Sequence, residues 1–160
     1  MFVLGIDPGL STTGYGLVEG THPPTAHRAG VIRTDKDSDT PERLGELYDG
    51  LVEMIGETAP DVIALETVFT NRNLQTAMSV GRASGVTLLA AAQAGIPVFE
   101  YVPTAVKAAV TGDGSANKKQ VQIMVAKLLG LADAPKPADS ADALAIALCH
   151  LRAAPLRVGR

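Results

Sequence analysis

Four carboxylates stand where a divalent metal ion could be bound: Asp7, Glu66, Asp139 and Asp142. The first two each follow a short apolar run of the kind typical of a buried strand. The last two are three residues apart in a segment with helical spacing, which puts both on one face of a helix. Hard oxygen ligands select Mg²⁺ or Mn²⁺, ions that retain waters and meet substrate phosphates.

The elements that carry these acids must bring them to one place. In open α/β sheets, sites form beyond the carboxyl ends of strands. If the strands that end at Asp7 and Glu66 are parallel neighbours, both side chains emerge at one rim of the sheet. The start of the helix with Asp139 and Asp142 would then have to approach that rim. Four unpaired anions repel strongly at close range, and divalent cations would relieve the repulsion.

Some of these acids also have purely structural interpretations. Asp7 precedes Pro8 and Gly9 and could be a turn residue. Asp139 could cap a helix, with Asp142 favoured by the helix dipole. Glu100 is a rival candidate because it too ends an apolar run. The pattern alone therefore suggests a site but leaves its membership open.

The order of elements predicts an α/β layered fold, in which helices and strands alternate after an antiparallel meander. The predicted strands are residues 2–6, 15–18, 25–33, 62–65 and 96–99. The predicted helices are residues 41–59, 74–94, 103–110, 116–129 and 139–153. Thr40 is the expected cap of the first helix and Ser115 that of the fourth.

The helix predicted at 74–94 contains one charge, Arg82. A helix that is apolar all round must bury more than one face. Its small residues, including Gly81 and Gly85, allow close helix–helix contact. We expect one face to pack on the sheet and another on a second copy of the chain. A central helix within a monomer is the alternative.

Composition indicates one folded domain. The chain has 160 residues, of which 46% are hydrophobic and 19% charged. Its single cysteine, Cys149, excludes an intramolecular disulfide framework. The start of the chain lacks the basic region of a signal peptide, and no uncharged apolar run reaches membrane-spanning length. These features predict a soluble cytoplasmic protein.

Charge is distributed unevenly along the chain. Residues 1–65 contain 4 basic and 11 acidic side chains, whereas residues 66–160 contain 10 basic and 6 acidic ones. Three of those six acids are candidate metal ligands, so metal binding would leave the second part clearly cationic. A concentration of basic residues is typical of a surface that binds a phosphate backbone.

Two lysines occupy an unusual place for cations. Lys118 and Lys119 fall in the first turn of a predicted helix, where the helix dipole disfavours positive charge. A bound anion that used both the lysines and the free N–H groups would explain this placement. Two solvated lysines are the alternative. The histidines, in contrast, are not expected in the site, and His150 lies about 12 Å along a helix from Asp142.

Several ordered motifs resemble those of the RuvC-type Holliday-junction resolvases of bacteria. The resemblance covers nearly the whole chain, and it begins with Gly5-Ile6-Asp7-Pro8-Gly9 followed by Thr13-Gly14-Tyr15-Gly16. It continues through the segments at 64–69, 98–101, 114–121 and 138–145. The Asp-Pro-Gly motif alone is a weak signal, whereas the ordered set is specific.

The resemblance implies a ribonuclease-H-like fold, with a mixed five-stranded sheet flanked by helices on both faces. It implies one nuclease domain at 1–155, followed by a short basic tail at 156–160. The four acids named above would be the catalytic, metal-binding carboxylates, and each matches the family in type; some members have His in place of Asp139. Two Mg²⁺ ions are expected in each site, with Mn²⁺ possible.

The resemblance also implies the substrate and partners. The expected activity is structure-selective cleavage of four-way DNA junctions by paired symmetric nicks, which leave 5′-phosphate and 3′-hydroxyl ends. The enzyme would act as a homodimer beside a branch-migration motor complex. Lys118 is implied as a catalytic residue. The candidate DNA contacts are Phe69, Arg72, Lys107, Lys118 and Lys119, with Phe69 stacking on unpaired bases. From its position alone, Phe69 could equally belong to the core.

Two other functions compete with the nuclease. An actin-like or sugar-kinase-type ATPase shares the core fold and an Asp-x-Gly loop, but it needs two such domains and leaves Asp139 and Asp142 unexplained. A non-catalytic junction-binding module is the second alternative. The acids argue against it, because four carboxylates without metal hinder DNA binding.

Overall fold

The computed structural model describes residues 1–67 and 73–154. Strands β1 to β5 are Phe2–Asp7, Thr12–Glu19, Thr25–Arg33, Val62–Glu66 and Val98–Tyr101. Helices α1 to α5 are Thr40–Thr58, Leu74–Gln93, Pro103–Thr111, Lys118–Leu128 and Ala138–Ala153. The predicted meander and the alternation of helices and strands after it are confirmed. No helix in these two described stretches is long and apolar enough to cross a bilayer.

The five strands form one mixed sheet in the order β3-β2-β1-β4-β5. Strand β2 pairs antiparallel with both β1 and β3, because the short segments between successive strands can join only antiparallel neighbours. Strands β4 and β5 extend the sheet from β1 in parallel, and the chain returns through a helix before each of them. The three parallel strands therefore end at one edge of the sheet.

Side-chain alternation along the strands creates two cores, one on each face of the sheet. In β1, Val3 faces the core that contains α3, α4 and α5, whereas Leu4 and Ile6 face the core that contains α1 and α2. The same division holds in β4, where Ala64 faces α5 and Leu65 faces α1. Helices thus cover both faces of the sheet, as predicted.

Two helix caps differ from the predictions. Helix α1 is capped by Asp39, whose side chain accepts a hydrogen bond from the N–H of Glu42, and Thr40 is its first residue. Helix α4 is capped by Asn117, which forms a reciprocal capping box with Gln120. Ser115 instead donates to the carboxylate of Asp113 within the preceding loop. In both cases a good capping residue lies within two positions of the residue that caps the helix.

Strand β5 begins later than predicted and includes Glu100. Glu100 lies opposite Leu65 of β4, so it points to the α1 face of the sheet and is exposed at its edge. Its neighbour Tyr101 lies opposite Glu66 and points the other way. Register therefore separates the two rival acids by placing them on opposite faces of the sheet.

Helix α2 packs against α1 through a face that includes Ala83, Thr87 and Ala90. This face joins the core beneath the sheet, with α1 as its main neighbour. Its opposite face is exposed and carries large apolar side chains, namely Leu74, Met78, Leu88 and Leu89. One apolar face of α2 therefore packs within this chain, but its main neighbour is α1 rather than the expected sheet. The packing of the other face on a second copy stays a prediction.

Candidate metal centre

Asp7 and Glu66 are the last residues of two adjacent parallel strands. The preceding residues, Ile6 and Leu65, are register partners, so the two acids leave the sheet side by side. Both point to the α5 face, because they alternate with residues that face α1. The predicted parallel neighbourhood is confirmed, and Asp7 does not stand alone as a turn residue.

Helix α5 brings two further acids to the same rim. Pro137 occupies its N-cap position without a side-chain cap, so Asp139 is not the cap and that alternative is wrong. Asp139 lies in the first turn, and Asp142 follows on the same face of the helix. The helix is nearly surrounded by protein, since ten of the eleven residues from Ser140 to His150 are buried.

Two glycines allow α5 to lie against the sheet. A β-carbon on Gly5 of β1 would fall 2.0 Å from the carbonyl oxygen of Ala143, and one on Gly14 of β2 would fall 2.1 Å from that of Asp139. Neither distance is possible for a real side chain. Only glycine permits this approach of backbone to backbone, which carries the acids of α5 to those of the strands.

Three of the acids form a group able to hold a metal ion. Asp7, Asp139 and Asp142 each offer one carboxylate oxygen, and these oxygens lie within 4.8 Å of one another. Glu66 lies outside this group but lines a cavity with Asp142. The four predicted carboxylates are thus brought to one rim, three as a compact cluster and one at its side.

Burial and mutual repulsion make these anions costly. Burial, with added repulsion chiefly from Glu66 and Asp142, raises the pKa of Asp7 to about 8. Burial and then the charge of Asp142 raise the pKa of Glu66 to about 7. Burial also raises the pKa of Asp142. A divalent cation would stabilise the charged form of these half-buried carboxylates. Their oxygens are also the kind of ligand that Mg²⁺ prefers.

Lys118 reaches into this group from helix α4. Its Nζ lies 3.1 Å from Oδ2 of Asp142, and this contact raises the pKa of Lys118. The capping box fixes the start of α4 and hence the place of Lys118 as its first residue. Asp142 is thus the anionic partner of one of the two lysines, and the expected bound anion beside both of them stays a prediction.

A cavity of about 240 Å³ lies between the acids and helices α3 and α4. Its polar lining comes from Glu66, Asp142, Lys107 and Lys118. The two lysines lower the pKa of Glu66 through their charge, against the larger effect of burial. Two anions and two cations of the predicted site therefore share one cavity.

The other predicted site residues are distributed differently. Lys119 is exposed on the first turn of α4 and does not line the cavity. Phe69 and Arg72 lie outside the described residues. His150 is buried, where its Nδ1 lies 2.7 Å from the hydroxyl of Tyr101, so its exclusion as a ligand agrees with the structure.

One supporting contact was missed by sequence reasoning. Thr67 follows Glu66 and donates a hydrogen bond of 2.9 Å from its N–H to the carbonyl of Tyr101. Its hydroxyl also donates to the same carbonyl at 3.3 Å. These bonds hold the chain to β5 directly after Glu66. Only the pairing of β4 with β5 reveals them, since the two residues are 34 positions apart.

The fold and the site together define a class. A mixed five-stranded sheet in this order, covered by helices on both faces and carrying acids at the ends of two adjacent parallel strands, is a ribonuclease-H-like fold. A family model described as crossover junction endodeoxyribonuclease RuvC matches residues 3–150.

Curated relatives and solved structures agree with this match. The crossover junction endodeoxyribonuclease RuvC of Salinispora arenicola is 51% identical over 153 residues, which cover 94% of this chain and 87% of that protein. The protein of the same name from Chloroflexus aggregans is 52% identical over 163 residues, which cover 97% of this chain and 95% of that protein. Among solved structures, Thermus thermophilus RuvC in complex with a Holliday junction substrate is 39% identical, with a TM-score of 0.91. The match covers 98% of this chain and 96% of that chain.

The chain belongs to the RuvC family of crossover junction endodeoxyribonucleases, which are metal-dependent nucleases.

Proposed function

We propose that this chain resolves four-way DNA junctions by metal-assisted hydrolysis, with Asp7, Glu66, Asp139 and Asp142 as its catalytic carboxylates. The observation that carries the proposal is the cluster of three aspartate oxygens within 4.8 Å of one another, at the edge where Glu66 also ends its strand. The Thermus thermophilus relative that binds a Holliday junction covers nearly all of this chain, which supports the same substrate.

The carboxylates hold the metal, for which Mg²⁺ is the proposed ion and Mn²⁺ the alternative. Two such ions would activate a water and stabilise the leaving 3′-oxygen when bound. The chain's own part is geometric: β1 and β4 present Asp7 and Glu66 from a rigid sheet, while α5 presents Asp139 and Asp142. Attack in line on the phosphate leaves a 5′-phosphate and a 3′-hydroxyl, and it needs no covalent enzyme intermediate.

The lysines near the carboxylates serve the substrate. Lys107 and Lys118 line the cavity beside the acids, where their ammonium groups can contact a phosphate at the cleavage site. Lys118 is also proposed as catalytic, because its Nζ reaches the metal-binding group. Lys119, one residue further along α4, would contact the backbone outside the cavity. Phe69 and Arg72 stay predictions for base stacking and backbone contact.

We further propose that the enzyme acts as a homodimer through α2. The exposed residues Leu74, Met78, Leu88 and Leu89 recur with a spacing that places them along one face of this helix. Gly81 and Gly85 lie on the same face, and a β-carbon on either would meet no heavy atom within 4 Å. A second copy of this helix could therefore approach closely and supply the second nick. A branch-migration motor complex is proposed as a further partner.

A nicking assay tests the activity. A synthetic four-way junction labelled on each strand is incubated with the protein and Mg²⁺, beside a linear duplex of the same sequence and an ATP hydrolysis assay. We expect symmetric nicks in the junction only, and their loss in EDTA. Cleavage without metal, equal cleavage of linear duplex, or ATP hydrolysis would each contradict the proposal. Binding without any cleavage would favour the junction-binding module.

A further inference from the structure

Lys118 and a divalent cation would use the same carboxylate. The ammonium of Lys118 lies 3.1 Å from Oδ2 of Asp142. Asp142 is also one of the three aspartates whose oxygens converge. An ammonium at this distance already neutralises part of the negative charge of Asp142, which would otherwise attract a metal ion. Two cations beside one carboxylate also repel each other, more strongly where the surroundings are partly desolvated.

The position of Lys118 favours exchange over a permanent ion pair. The Lys118 side chain is 61% exposed, whereas that of Asp142 is 23% exposed. Ion pairs with a well-solvated partner contribute little stability, since water readily replaces the contact. Lys118 is also the first residue of α4, where the helix dipole disfavours a cation. The carboxylate is therefore held in place by α5, while the ammonium is free to leave.

The cavity beside the acids can accommodate the ammonium of Lys118 after it leaves Asp142. Lys118 lines the cavity between the acids and helices α3 and α4, together with Lys107. A substrate phosphate that contacts metal ions at the acids would lie next to this cavity. Movement of Nζ from Asp142 towards that phosphate needs only rotation of an exposed side chain.

We propose that Lys118 is an exchangeable counter-ion of the metal site: it pairs with Asp142 before a divalent cation binds, and it is displaced towards the substrate phosphate when the cation is present. This inference rests on the proposed metal site and describes how the affinity of that site for metal is regulated. Lys118 lowers the affinity of the DNA-free protein for metal, and this couples metal loading to the arrival of a phosphate that accepts the displaced ammonium.

Metal titration of the DNA-free full chain tests this inference. Binding of Mn²⁺ is followed by electron paramagnetic resonance of the free ion, for the wild type, Lys118→Met and Lys119→Met. Both substitutions remove one positive charge from the first turn of α4, but only Lys118 pairs with Asp142. We expect Lys118→Met to bind Mn²⁺ about threefold more tightly than Lys119→Met does. Lys118→Arg, which keeps the charge, should bind like the wild type.

The outcomes separate the inference from the metal site itself. Equal affinities in Lys118→Met and Lys119→Met, or weaker binding in Lys118→Met, would overturn the exchange of counter-ions. Failure of the wild type to bind Mn²⁺ would overturn the metal site and the inference with it. Lys118→Gln is titrated in parallel, and circular dichroism verifies folding, so the comparison does not depend on a single variant.

Discussion

The carbonyl oxygen of Asp139 lies 2.1 Å from the point that a β-carbon on Gly14 would occupy. Strand β2 and helix α5 are therefore in contact through their backbones at a residue that carries one of the proposed metal-binding carboxylates. Gly5 of β1 has the same relationship with Ala143, one residue beyond Asp142. These contacts determine how closely the acids of the helix approach Asp7.

Gly14→Ala should disrupt the site by moving α5 away from the sheet. The added methyl cannot coexist with the carbonyl of Asp139, and overpacking of this kind costs about 1–3 kcal/mol. We expect a loss of that size in urea unfolding and a fall in junction cleavage of about tenfold or more. Gly56→Ala is the matched control, because a β-carbon there meets no heavy atom within 4 Å. It should raise stability by about 0.5–1 kcal/mol. Similar behaviour of the two variants would count against the role of Gly14.

Substitution of the acids should separate cleavage from binding. Asp7→Asn and Asp142→Asn each remove a proposed metal ligand, so we expect cleavage of a synthetic junction to fall by about 100-fold or more. Gel-shift affinity for the junction should persist, because the contacts to the phosphate backbone remain. Full activity in Asp7→Asn would refute the assignment.

Glu100→Gln serves as the control for Glu66→Gln. Glu100 faces the opposite side of the sheet from Glu66 and is exposed at the edge strand. We expect the Glu100 variant to cleave at nearly the wild-type rate, measured under single-turnover conditions, and the Glu66 variant to be inactive. A severe loss in Glu100→Gln would mean that the strand register does not decide which acid is catalytic.

Stability in EDTA should fall as the pH rises from about 4 to about 8. Folding raises the pKa of Asp7 from 3.8 to about 8 and that of Glu66 from 4.5 to about 7. In this range the native protein binds more protons than the unfolded chain, so the free energy of unfolding decreases with pH. Thermal melts across this range should show a smaller decrease for Asp7→Asn than for the wild type. Equal slopes for the two proteins would contradict the shifted pKa of Asp7.

Charge on the exposed face of α2 should prevent dimer formation. Leu89→Glu places a carboxylate on the proposed interface, where burial without a partner is costly. Sedimentation velocity should show a dimer for the wild type and a monomer for this variant. Val52→Glu is the control, because Val52 is an exposed apolar residue of α1 rather than α2. A wild type that is active as a strict monomer would contradict the proposed interface.

Local patterns were sufficient for most elements but not for their ends. Asp39 and Thr40 are both good capping residues, as are Ser115 and Asn117, and the choice within each pair depends on the path of the preceding loop. The start of β5 was likewise misplaced, since a short apolar run contains no marker of where pairing with β4 begins. Errors of one or two residues at these points did not affect the order of elements.

Local sequence patterns predict the α/β class, the strand-end positions of Asp7 and Glu66, and the shared helical face of Asp139 and Asp142, because each depends on residues close together in the chain. Family motifs then selected the four acids. The folded structure is needed to see that Glu100 faces the opposite side of the sheet from Glu66, that Gly5 and Gly14 bring α5 to the strands, and that Lys118 pairs with Asp142. Those relationships join residues that are distant in the chain, and only strand register and helix packing bring them into contact.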